Sequence, residues 1–264
     1  MSTNGTTAIV IPAYNAGRYL GDVLDRVLRQ APREHILVVD DGSTDDTAAV
    51  AETRGVRVIR QTPNQGKVAA LRTGFQATRE YDSVATLDAD GQHNPADLPR
   101  FLAAASTQEL VVGARTLGKG MPGLRALGNR VSSWYIGVLA GQRIPDSQSG
   151  YRLHARALLD SVVPTIERAD GFLFETELLV RAGRQGYRIG SVPIATVYAD
   201  QGSHFHPATE LPRFLSLFVC LRRSTSYGWM VTRSATWSRI ALLPSAAAFC
   251  CLLLCLALSF TEVS

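Results

Sequence analysis

Two carboxylates one residue apart, Asp88 and Asp90, close the apolar run SVATL within the stretch TLDADGQHNP, Thr86 to Pro95. Asp is depleted in strand interiors and an unpaired buried charge is costly, so the pair belongs at a strand's exit, where a cation can reach it. Carboxylates at i and i+2 on a turn can face one hard divalent ion, Mg²⁺ or Mn²⁺, and Mg²⁺ takes its other ligands from phosphates and water. Alone, D-x-D is a common surface pattern, and its weight here comes from its company. Asp40 and Asp41 end HILVV, where a carboxylate can accept hydrogen bonds from a base or ribose. Arg115 follows ELVVGA, and its planar fork suits phosphate.

Other phosphate and metal motifs fail on spacing. A dinucleotide fingerprint would put G-x-G-x-x-G after the first strand, where this chain reads PAYNAG, and there is no Walker lysine motif. An EF-hand needs its glycine sixth in the loop, but in DADGQH the glycine is fourth.

The elements that must position these residues alternate along the chain. TAIVI (7–11) predicts a strand, and Leu20, Val23, Leu24, Val27 and Leu28 then recur at helical spacing. HILVV (35–39) leads into a helix beginning near Ser43–Asp45, with Asp45 and Asp46 as acids of its first turn. VRVI (56–59) precedes a helix from about Gly66 to Arg79, SVATL (83–87) precedes one beginning at Pro95, and ELVVG (109–113) comes next. Continuous Val/Ile/Leu runs with short crossovers indicate an α/β fold, a mainly parallel sheet with helices on both faces. Ligands bind such sheets outside the carboxyl ends of the strands, which here carry PAYN, DDGS and DADGQ. Beyond residue 115 come a glycine-rich loop (116–123), helices near 125–140 and 172–185, and short strands near 187–198.

With 264 residues, 46% hydrophobic and 19% charged, the chain is of the globular class. Its net charge of +4 is unevenly placed: residues 1–210 carry 22 basic and 22 acidic side chains. Beyond them Arg213, Arg222, Arg223, Arg233 and Arg239 face only Glu262. A basic excess confined to one end suggests a membrane surface more than nucleic acid. All four cysteines lie in the same tail (Cys220, Cys250, Cys251, Cys255), so residues 1–210 offer neither a disulfide framework nor a cysteine metal site. IALLPSAAAFCCLLLCLALSF (240–260) is 21 residues without a charge, about 31 Å as a helix and hence one bilayer core. ELPRFLSLFVCLRR (210–223) sets Leu211, Phe214, Leu215 and Phe218 on one helical face, as an interfacial helix would. The expected organisation is a catalytic domain (1–206), amphipathic juxtamembrane helices (207–239) and one transmembrane helix (240–260).

IPAYN (11–15), VVDDGSTDDT (38–47), NQGKVAALRTG (64–74), LDADGQH (87–93), VGAR (112–115), GNR (128–130), DSQSGYRL (146–153) and FETELL (174–179) occur in this order. Together they resemble the inverting glycosyltransferases of the GT-A fold, specifically the dolichyl- and polyprenyl-phosphate sugar transferases, over roughly residues 7–205. The resemblance implies a nucleotide-sugar donor, GDP- or UDP-linked, a Mg²⁺ or Mn²⁺ ion and a lipid-phosphate acceptor. It implies that Pro12, Tyr14, Asn15 and Lys67 line the nucleotide site and that Asp41 meets base or ribose. It further implies Asp88, Asp90 and Gln92 as metal ligands, Arg115 and Arg130 on phosphate, and Asp146 and Gln148 at the sugar and acceptor side. Arg152 would support that loop, or pair with a buried carboxylate; Glu175 and Glu177 would be one core partner and one solvated charge. The chain departs from the pattern at His204, where many relatives carry lysine, and in offering one apolar span.

The expected reaction is a single displacement at the anomeric carbon, with the metal and Arg115 stabilising the leaving diphosphate and no strong base required of a phosphate nucleophile. A lipid hydroxyl such as diacylglycerol would need a base, for which Asp146 is the candidate. A membrane-tethered protein that binds nucleotide sugar without transferring it is a third reading, against which Asp88, Asp90 and Arg115 all stand. Arg222, Arg223, Arg233 and Arg239 flank the span on its N-terminal side, which predicts a cytoplasmic catalytic domain on the inner membrane.

Overall fold

The computed structural model describes residues 5–115, 123–166 and 172–195. The segments expected to be juxtamembrane and transmembrane, His204 and most of the glycine-rich loop lie outside these residues. Among the described residues no helix is long and apolar enough to cross a membrane.

Seven strands form one sheet: β1 (Thr7–Ala13), β2 (Ile36–Asp40), β3 (Arg57–Arg60), β4 (Ser83–Thr86), β5 (Leu110–Arg115), β6 (Arg152–Ala155) and β7 (Ile189–Ile194). Their order is β3-β2-β1-β4-β6-β5-β7. All pairings are parallel except those of β6, which runs antiparallel to both β4 and β5. The helices are α1 (Gly17–Val27), α2 (Thr47–Thr53), α3 (Lys67–Ala77), α4 (Leu98–Ala104), α5 (Gly123–Ala140), α6 (Arg156–Val162) and α7 (Phe172–Arg184).

Strand side chains alternate between faces, so each apolar strand feeds two cores. Ile9 and Ile11 of β1, with Val38, Val111 and Leu153, meet Leu20, Val23 and Leu24 of α1 and Phe101 of α4. Val10, Val39, Val84 and Val112 face Leu71 and Phe75 of α3, Ile136 of α5 and Phe174 and Leu178 of α7. Burial on both faces explains why these strands read as unbroken Val/Ile runs.

Two expectations are corrected. β6 was not anticipated; its two antiparallel pairings make the sheet mixed, while the other four pairings keep it mainly parallel, as expected. RLHA is no apolar run: Leu153 enters one core, while Arg152 and His154 are buried polar residues on the same strand. Its direction matters for the site. Running against β4 and β5, it places its first residue, Arg152, opposite Thr86 at the carboxyl end of β4 and opposite Val112 midway along β5. The loop before it, DSQSG, therefore arrives beside Asp88. Second, α2 begins at Thr47 and not near Ser43–Asp45. The intervening polar groups are bonded to the loop after β1: Asn15 N–H donates to Ser43 Oγ (2.9 Å), Thr44 N–H to Asn15 Oδ1 (2.9 Å) and Gly17 N–H to Asp45 Oδ2 (2.9 Å). Asn15 adopts the left-handed conformation (φ 48°), which Asn tolerates better than most residues. Asp46 takes the N-cap position but makes no capping hydrogen bond there.

Candidate active site at the carboxyl edge of the sheet

Asp88 and Asp90 leave β4 at the edge where DDGS and VGAR also end. Asp88 Oδ1 lies 2.7 Å from Lys67 Nζ, at the first turn of α3, and the same ammonium lies 3.4 Å from Glu175 Oε2 on α7. Burial works against charging Asp88, but the Lys67 ammonium outweighs it and holds the carboxyl down at about 2. Asp90 moves the other way, raised by burial and by the Asp88 charge beside it. Its Oδ1 accepts from Gln92 N–H at 2.9 Å. Gly91 makes the turn at φ 77°.

His93, overlooked at the sequence level, supports the turn from beneath. Asp88 N–H donates to its Nδ1 at 3.3 Å, and burial lowers its pKa despite the two carboxylates, so it is the neutral imidazole with Nε2–H. Gly150 is a second support: a Cβ there would fall 2.3 Å from Asp88 Oδ2. Only a glycine lets the loop before β6 approach this closely.

Across the edge Arg115 and Asp146 form a fork. Arg115 Nε donates to Asp146 Oδ2 (2.7 Å) and Nη2 to Oδ1 (3.0 Å), while the backbone N–H groups of Arg115 and Gln148 also reach that carboxylate (3.2 and 3.0 Å). Burial opposes ionisation of Asp146, but Arg115 prevails and its pKa is lowered. Asn129 donates to the same carboxylate at 3.4 Å. Arg152 is fully buried and does support this loop, though without the expected carboxylate partner. It donates to the carbonyls of Ser149 (2.8 Å), Ser147 (2.8 Å) and Glu175 (2.7 Å), tying the loop to α7. Glu175 and Glu177 are both buried and paired, with Lys67 and Arg181, so neither is the solvated charge expected.

The nucleotide-side residues divide. Tyr14 is exposed and free of the core, as a stacking surface requires. Pro12 is buried in β1 opposite Val39, beyond the end of the β1–β4 ladder, where its missing N–H costs nothing. Asn15 spends its side chain on the loop before α2. Asp41 is buried, and its two oxygens accept from Gln65 N–H (2.8 Å) and Gly66 N–H (2.7 Å), fixing the start of α3 and so the root of Lys67. Arg130 and Gln148 are exposed.

Asp88, Asp90 and Gln92 offer hard oxygen donors on one turn, the chemistry Mg²⁺ and Mn²⁺ prefer. Among the described residues no group of three His, Cys, Asp or Glu could enclose a metal.

A mixed sheet with its polar loops gathered at one edge and an acidic pair at the exit of β4 defines the GT-A fold of nucleotide-sugar transferases. Residues 8–163 match the model of Glycosyl transferase family 2, and the chain belongs to that family. It is 33% identical over 204 residues to undecaprenyl-phosphate mannosyltransferase of Micrococcus luteus, covering 73% of this chain and 84% of that protein. To polyprenol monophosphomannose synthase of Mycolicibacterium smegmatis it is 32% identical over 209 residues, 74% of this chain and 79% of the relative. Among solved structures, glucosyl-3-phosphoglycerate synthase of Mycobacterium tuberculosis in complex with Mn²⁺, uridine diphosphate and phosphoglyceric acid superposes with a TM-score of 0.65 at 21% identity. That match covers 83% of this chain and 78% of the other. The protein is a glycosyltransferase homologous to polyprenyl-phosphate sugar transferases.

Proposed function

We propose that this protein transfers a sugar, with inversion, from a nucleotide-sugar donor to a polyprenyl phosphate at the inner membrane surface. The observation that carries the choice of acceptor is the Arg115–Asp146 fork. Among the described residues Asp146 is the candidate base on the acceptor side, and against the effect of burial Arg115 lowers its pKa from the ordinary value. A carboxylate so stabilised is a poor proton acceptor, and a hydroxyl nucleophile would need a good one. A phosphate nucleophile is already anionic and needs none. The names of the two mannosyl-transferring relatives, undecaprenyl-phosphate and polyprenol, point the same way.

Asp88, Asp90 and Gln92 would hold Mg²⁺ or Mn²⁺, which would supply positive charge to the departing diphosphate. Arg115 adds its guanidinium to that charge from the end of β5, and Arg130 offers a second from the exposed side of α5. Tyr14 would stack on the base, Lys67 would face the diphosphate, and Asp41 would keep the root of α3 in place. Asp146 would orient Arg115, and Gln148 would reach the sugar or acceptor from the exposed loop. The test is incubation with radiolabelled GDP- and UDP-sugars and a panel of polyprenyl phosphate, polyprenol and diacylglycerol, followed by lipid extraction. Label should enter the polyprenyl phosphate fraction only; label in diacylglycerol would overturn the acceptor assignment. Asp90→Ala should lower transfer about a thousandfold, since a metal-held diphosphate is worth several kcal/mol at the transition state. Its circular dichroism should be unchanged. Full activity in that variant, or in excess chelator, removes the metal assignment.

A further inference from the structure

The cation nearest Asp88 is one the chain supplies. Lys67 Nζ sits between two carboxylates on different elements, 2.7 Å from Asp88 Oδ1 at the exit of β4 and 3.4 Å from Glu175 Oε2 on α7. The distances are unequal, so the ammonium rests on Asp88 with Glu175 as a second station within reach. The three groups differ in access to solvent: the side chains of Lys67 and Asp88 are 34% and 28% exposed, and that of Glu175 11%. An ion arriving from solvent meets Asp88 more readily than Glu175. Glu175 is also held in place, because its backbone carbonyl accepts from the fully buried Arg152. The flexible four-carbon stem of lysine suits movement between two such partners.

We propose that Lys67 stands in for the metal on Asp88 while the site lacks one, and that Glu175 is a positioning residue that receives Lys67 when a divalent ion takes Asp88. This rests on the reading of Asp88 as a metal ligand. It gives Glu175, the least exposed of the three groups, a part in the site exercised wholly through Lys67. The exchange keeps a positive charge beside Asp88 without the metal, and sends the displaced ammonium to a second carboxylate instead of stranding it.

Competition has a signature that a structural role lacks, because the two partners of Lys67 affect metal binding with opposite signs. Mn²⁺ is titrated into the purified full-length protein and free Mn²⁺ is followed by its electron paramagnetic resonance signal, without nucleotide. Lys67→Met should bind Mn²⁺ roughly three- to tenfold more tightly than wild type, since a competing unit charge within contact distance has gone. Lys67→Arg, which keeps the charge, should not. Glu175→Gln should bind Mn²⁺ several-fold more weakly, because Lys67 then has only Asp88. In the Lys67→Met background, Glu175→Gln should change the Mn²⁺ affinity less than twofold, as it acts through the lysine; this double variant also avoids leaving a buried carboxylate unpaired. Weaker Mn²⁺ binding in Lys67→Met or in the double variant, or an unchanged affinity in all variants, overturns the proposal. If wild type and variants all fail to bind Mn²⁺ even with UDP or GDP added, the metal reading of Asp88 and Asp90 fails too. If wild type binds but the signs do not oppose, only the role of Lys67 and Glu175 falls.

Discussion

At the scale of single residues the site is built from charges that restrain one another. Asp146 is 3% and Arg115 17% exposed, and their fork uses both carboxylate oxygens. Removing one member of such a pair leaves the other's charge uncompensated, which commonly costs about 3 kcal/mol or more. Asp146→Asn should therefore lower stability in urea by about that amount; a loss under about 1 kcal/mol would mean the fork contributes little. Arg115→Lys keeps the charge but not the two-pronged geometry, so it should fall between wild type and Arg115→Ala in both stability and turnover.

At the scale of elements, β6 and the loop before it connect the acceptor side to the acidic pair. Gly150→Ala would drive a Cβ to within 2.3 Å of Asp88 Oδ2, backbone against a pinned carboxylate. The variant should fold with reduced stability and lose most of its metal-dependent nucleotide binding, read by calorimetry with Mn²⁺ and either UDP or GDP; wild-type binding would show that the loop can retreat. His154, on the same strand, is fully buried against Phe75, and burial pushes its pKa down from 6.5 to about 3, with Arg152 and Arg156 adding to the shift. The sign follows directly. Below pH 6.5 the unfolded chain takes a proton that the folded chain refuses, so stability is complete above that pH and declines as pH falls toward 3. The slope from this one group approaches 1.4 kcal/mol per pH unit. Urea melts between pH 7.5 and 4.5 should lose that one-proton slope in His154→Leu; an unchanged slope would place the acid sensitivity elsewhere.

At the scale of the whole molecule, the described residues form a two-faced α/β body in which no helix is long and apolar enough to cross a membrane. In the organisation expected from the sequence, residues 240–260 would span the membrane and 210–223 would lie on its inner surface. Surface electrostatics are screened by salt and a buried apolar span is not. The full chain should accordingly remain in the membrane pellet after a high-salt wash, whereas a chain ending at residue 239 should be released by it. Release of the full chain by salt would leave it peripheral. Protease added outside sealed, intact cells should spare the domain containing Asp88 and Asp90; its digestion would reverse the orientation.

The alternation of apolar runs and helical stripes made six of the seven strands and the carboxyl-edge site legible, because burial on both faces of a sheet writes itself into sequence as unbroken Val, Ile and Leu. The acidic pair was legible for a related reason: charge at the end of such a run has nowhere to lie but the strand's exit. β6 was not, since its two polar residues are buried by partners distant in the chain, Arg152 by the carbonyls of Ser147, Ser149 and Glu175 and His154 by Phe75. Neither the pairing of Lys67 with Glu175, 108 positions away, nor the neutral state of His93 has any local pattern. Motif residues named their candidates one by one; which of them touch was decided by a single antiparallel strand that carries one loop back to the edge where the others end.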